Sequence, residues 1–163
     1  MKYTQDEKEL KELFESIVDE QFPILDNFNF IYVWRDSSKY DGDNALIIAS
    51  VHKLPNQQRD IFKVDIRVEV DEEAWLETSD VVKYEIAFHE LLHISPELID
   101  KKDEDSGIKE DKHGRLMFSL VPHDIVIKRF KTELLKFGLD KDMKKIRLFL
   151  NKVYRVKHKG GKK

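Results

Sequence analysis

The 163-residue sequence contains no cysteine. That excludes a disulfide framework, a thiol nucleophile and any zinc site built with Cys ligands. It fits a reducing compartment, and a cytoplasmic setting is the expectation. The opening residues, Met1 to Glu7, are polar and carry no apolar core of a signal peptide. No apolar run approaches the length that crosses a bilayer, so no membrane contact is expected. No internal repeat is present. The acids between residues 97 and 112 do not form the Asp-x-Asp-x-Asp-Gly loop, closed by Glu, that a calcium hand requires.

What is there is a globular composition, 40% hydrophobic and 37% charged, long enough for one domain with its own core. The net charge of −3 is unevenly spread. Residues 140–163 hold ten Lys/Arg against two Asp, a charge of +8, so the preceding 139 residues carry −11. A basic end on an acidic body is a candidate contact for nucleic acid; the plainer reading is a solvated terminus. The expected division is residues 1–139 as the folded domain and 140–163 as a basic helix and tail.

The most informative stretch is Tyr84 to His93, which contains His89-Glu90-Leu91-Leu92-His93 within an apolar run from Val81 to Ile94. Two histidines four apart lie on one helical face, about one turn apart, so both imidazoles can reach one metal ion. Glu90 is then placed to act on a water at that metal as general base. The plainer reading is a core helix whose two histidines are hydrogen-bonded.

The rest reads as an α+β layout. Residues 5–20 suggest an amphipathic helix capped by Thr4, with Glu7 completing a capping box. Strands are expected at 28–35, 45–52 and 61–70, with polar loops at 36–44 and 55–60. In the third, Phe62, Val64, Ile66, Val68 and Val70 alternate with Lys63, Asp65, Arg67 and Glu69, the period of a strand with one buried and one wet face. The helix with the two histidines is expected over 79–94, ended by Pro96. Residues 97–112 read as a mobile charged loop and 115–121 as a short strand. Two more helices are expected over 123–137 and 140–154.

Catalytic zinc sites take three protein ligands. His52 and His158 read as a strand residue and a tail residue. His113 lies in a charged loop, whereas His123 follows Pro122 at a helix start, a better-defined position, so His123 is preferred and His113 is the alternative. Asp124 and Glu85 are candidates to orient a ligand.

Four features together resemble the putative phage metallopeptidases over about residues 5–139. They are the helix–strands–helix order, Val70-Asp-Glu-Glu-Ala-Trp75, Tyr84-x-x-Ala87-x-His89-Glu90-Leu91-Leu92-His93, and Pro122-His123-Asp124 followed by Phe130. The resemblance implies a minimal zincin-like domain: an N-terminal helix, a sheet of three to four strands over the active-site helix, and C-terminal helices. It implies Zn²⁺ on His89, His93 and His123, with Glu90 catalytic. A protein or peptide substrate follows, with the free edge of strand 61–70 as its docking line. Two other functions fit the residues. One is a protease directed to DNA-bound proteins; the other is a zinc-stabilised binding protein without catalysis.

Overall fold

The structure, a computed structural model, describes residues 1–122. The helices expected over 123–137 and 140–154 and the basic end lie outside the described residues. Within them the chain is mixed α and β. A four-stranded sheet has the order β1 (Tyr3–Asp6), β2 (Phe30–Arg35), β6 (Ile66–Asp71), β5 (Ala49–Lys53). β2 and β6 are parallel; β1 and β5 run antiparallel to their neighbours. Helices α1 (Glu9–Gln21) and α4 (Asp80–Leu92) supply Leu10, Phe14, Ile17, Ala87 and Leu91 to one core with Tyr32, Val51, Ile66, Val68 and Val70.

The N-terminus differs from expectation. Thr4 lies in β1, not at a helix cap, because residues 3–6 add to β2 as a strand. α1 starts at Glu9, and Asp6 stands in for the cap. Its Oδ2 accepts from the amides of Lys8, Leu10 and Lys11 at 3.0, 2.9 and 3.2 Å. Glu7 bonds to Gln5 rather than to Thr4.

The expected strand 61–70 divides. Ile61 and Phe62 end a helix, α2 (Asn56–Phe62), where a loop was expected, and both are exposed. Lys63, at φ 55°, turns the chain out of that helix, and the strand begins only at Ile66. β6 is also interior to the sheet, so it has no free edge; the edges belong to β1 and β5. The expected strand 45–52 is broken at Ile48 into β4 (Leu46–Ile47) and β5, and β4 pairs with β3 (Lys39–Tyr40) inside the expected loop.

Beyond α4 the helix stops at Leu92, not 94, because Ile94–Pro96 form strand β7. The charged stretch expected as a loop is a hairpin of β8 (Leu98–Asp100) and β9 (Asp103–Ile108). Ser106 closes it, its hydroxyl taking the Asp100 amide at 2.9 Å, and Gly107 supplies φ 95°. β10 (Phe118–Leu120) returns antiparallel to β7. A short helix α3 (Glu72–Leu76), capped by Asp71, carries fully buried Trp75. The Trp75 indole donates to Glu9 Oε1 at 3.0 Å, tying α3 to α1.

The sheet face opposite the core is not wet. Glu69 is 0% exposed there, with Lys39 Nζ and Arg67 Nη2 each at 2.8 Å and the buried Arg35 guanidinium at 3.9 Å. Arg35 also donates to the Ser37 and Ile47 carbonyls, which brings the β3–β4 hairpin over the charges. Burial alone would raise the Glu69 carboxyl, but the Lys39 bond and the charges of His52, Arg67 and Lys39 outweigh it and hold it below the usual range. Glu69→Ala leaves buried Arg35 short of a counter-charge and is expected to cost about 3–5 kcal/mol at neutral pH, read by urea unfolding. A lowered folded pKa gives stability that is present above the unfolded value and lost as pH falls through the folded one. The gap between wild type and variant is therefore expected to narrow in acid.

Candidate metal centre

α4 is apolar over most of its surface, and its last turn carries His89 and Glu90, with His93 as the residue that closes it. The His93 amide still bonds to the Glu90 carbonyl, at 3.2 Å, so the helical spacing of 89, 90 and 93 is kept. His93 and Glu90 are buried and His89 is half-buried. The ligand-type atoms of these three residues all lie within 4.8 Å of one another.

His93 is held by a reciprocal pair. Its carbonyl accepts the Val121 amide at 2.7 Å, and its Nδ1 meets the Val121 carbonyl at 2.7 Å. A carbonyl can only accept, so Nδ1 carries the proton and, in the neutral ring, Nε2 presents a lone pair. Burial lowers the His93 pKa, against a smaller upward pull from the Val121 carbonyl, and so favours that neutral ring.

That lone pair points at the other histidine: His93 Nε2 and His89 Nε2 are 3.3 Å apart, with the rings at 79°. Two imidazole nitrogens about 2.0–2.1 Å from a tetrahedral zinc stand about 3.3–3.4 Å from each other. That separation is compatible with a shared metal ion, as it is with a hydrogen bond between the two rings. A proton on His89 Nε2 would bridge the same gap when no cation is bound.

Glu90 sits beside the pair in a desolvated position. Burial pushes its carboxyl up to about 8, opposed by the backbone amide of Val51. A cation at the histidines would favour the ionised form. Val51 lies on β5, and the register shows which way it faces. Asp71 donates to the Ile48 carbonyl and Leu54 to the Asp65 carbonyl, so residues 48, 50, 52 and 54 make the ladder to β6. Ala49, Val51 and Lys53 turn their N–H and C=O groups to the outer edge, over the side of Glu90.

The remaining sequence candidates fall elsewhere. His113 is exposed on a turn that Asp111 holds through the His113 amide at 2.8 Å, and it is not among the converging ligand atoms. His52 is on the far face of the sheet, 2.9 Å from Ser50 Oγ and 3.6 Å from Glu69. Glu85 is buried on α4, yet among the described residues its Oε2 has no hydrogen-bond partner, so it does not orient His89 through that atom. The preferred third ligand His123 and its neighbour Asp124 lie outside the described residues. Reading side chains alone missed the Val121 carbonyl and the Val51 amide, which are backbone groups.

A four-stranded sheet packed on a helix whose histidines converge defines a candidate metal-binding protein of α+β class. The chain matches a family model described as Putative phage metallopeptidase over residues 1–153, and it belongs to that family. The family implies a metal, and His89, Glu90 and His93 form a group that could hold one. Comparison with curated proteins and with solved structures found no match to either. Among the described residues no helix is long and apolar enough to cross a membrane.

Burial pushes the Glu85 carboxyl up to about 7. A raised folded pKa gives stability that is complete below the unfolded value, near 4.3, and lost as pH rises through the folded one. Wild type should therefore lose stability between about pH 4.3 and 7. In Glu85→Gln that part of the slope should be gone, as read by urea unfolding across the range.

Proposed function

We propose that the protein is a zinc-dependent metallopeptidase in which His89, His93 and His123 hold the ion and Glu90 is the general base. The observation that carries this is the 3.3 Å approach of two Nε2 atoms, one of them fixed as a lone-pair donor by Val121. Val121, which meets His93, stands two residues before His123 in the sequence. Zinc bound there supplies a Lewis acid that makes a water acidic near neutral pH and polarises a peptide carbonyl.

The chain's own groups do the rest. Glu90 accepts the proton of the attacking water and returns it to the leaving amine. Its burial keeps competing water away, and the Val51 amide restrains it. The peptide lies along the outer edge of β5 rather than on β6, bonding to the outward groups of Ala49 and Lys53. Among the described residues, no backbone hydrogen bond occupies that side.

The reading is tested by metal content and turnover together. Purified without an affinity tag, the protein should carry about one zinc per chain by mass spectrometry. His89→Ala, His93→Ala and His123→Ala should lose it, and His113→Ala should keep it. Glu90→Gln should keep the zinc and cleave a peptide library about 10²–10⁴-fold more slowly. Zinc bound without cleavage by wild type would favour the catalytically silent binding protein. The basic stretch 140–163, the expected nucleic-acid contact, lies outside the described residues and adds nothing to the choice.

A further inference from the structure

Among the described residues β10 is a short strand laddered on one side only, to β7. It is three residues long, and its Phe118 stands opposite Pro96 of β7 at a pair that carries no ladder bond. Glu97 donates to the Met117 carbonyl and Val121 to the His93 carbonyl, so residues 117, 119 and 121 face β7. Phe118 therefore turns its carbonyl outward, toward β5.

Two cations from outside this ladder meet the strand there. Lys53 Nζ donates to the Phe118 carbonyl at 2.6 Å and lies 4.6 Å from the centre of the Phe118 ring. Arg59 Nη2 donates to the Leu116 carbonyl at 2.8 Å, and its guanidinium lies 5.2 Å from the centre of the same ring. Arg59 is 5% exposed, and its Nε donates to Asp65 Oδ1 at 2.9 Å. Asp65 in turn accepts the Asn29 amide at the entry to β2. The segment 116–118 is thus tied to the main sheet through side chains, and three residues after Phe118 the Val121 carbonyl meets His93 Nδ1.

We propose that Lys53 and Arg59 are positioning residues for the metal centre: by clamping the Leu116 and Phe118 carbonyls they set the Val121 carbonyl, and so decide which nitrogen of His93 carries the proton. This rests on the metal reading above for its purpose, but not for its geometry. The alternative is that the two cations only pack Phe118. Packing would affect stability without affecting the histidine.

The test uses the full-length protein labelled with ¹⁵N, first without metal. Long-range proton–nitrogen NMR reports the tautomer of His93. Wild type should show Nδ1 protonated and Nε2 bare. Lys53→Met should show a mixture of tautomers and bind zinc about tenfold more weakly in a chelator competition. Lys53→Arg, which restores charge and donor, should recover both. A folded Lys53→Met protein with the wild-type tautomer and unchanged zinc affinity would overturn the proposal, whatever its melting temperature. Should Lys53→Met not fold, Arg59→Lys removes the bond to Leu116 and carries the same expectations; wild-type values there would equally overturn it. If wild type binds no zinc, the metal reading fails, while the tautomer comparison still decides the clamp.

Discussion

The hydrogen bonds between His93 and Val121 tie the candidate chemistry to the fold. His93 closes α4, and Val121 leaves β10, so the pair joins the helix to the strand that returns beside it. Without the carbonyl, the imidazole could carry its proton on either nitrogen and could turn about its side-chain bonds. With it, the lone pair is committed to the side where His89 Nε2 stands. The buried core under α4 sets the helix, and the helix sets the four-residue spacing. The backbone of residue 121 then decides what that spacing can do.

The protein handles its buried carboxylates in two ways. Glu69 and Asp71 lie among Arg35, Lys39 and Arg67 on the far face of the sheet, and the charges compensate one another. Such a cluster costs desolvation but specifies how the β3–β4 hairpin closes over the sheet. Glu90 and Glu85 on α4 have no such cation among the described residues, and burial raises both. Two carboxyls raised by burial thus stand on one helix beside the histidine pair.

Much of the centre was legible in the sequence because helix geometry alone converts His-x-x-x-His into two imidazoles on one face. The apolar run around it announced a buried helix, and α4 is one. Other parts were hidden for physical reasons. The period of two from Phe62 to Val70 ran straight through a helix end, since nothing in Lys63 announces a left-handed residue as Gly or Asn would. Glu69 looked wet because its position alternates with apolar ones. Besides Arg67 of its own strand, it meets Lys39 and Arg35, which arrive from other strands and which a local pattern cannot register. The 97–112 hairpin has no apolar alternation at all, and its closure depends on Ser106 and Gly107. The free edge expected at β6 lies instead at β1 and β5, because strand order is a tertiary fact that no local pattern carries.

The most direct measurement is a crystal structure of zinc-supplied protein with anomalous scattering recorded at the zinc edge. One strong peak is expected about 2.0–2.1 Å from both His89 Nε2 and His93 Nε2, with His93 Nδ1 still on the Val121 carbonyl. Zinc bound through His93 Nδ1, or bound elsewhere with the His89–His93 pair empty, would contradict it. In that case the pair would be two hydrogen-bonded histidines at the end of a core helix.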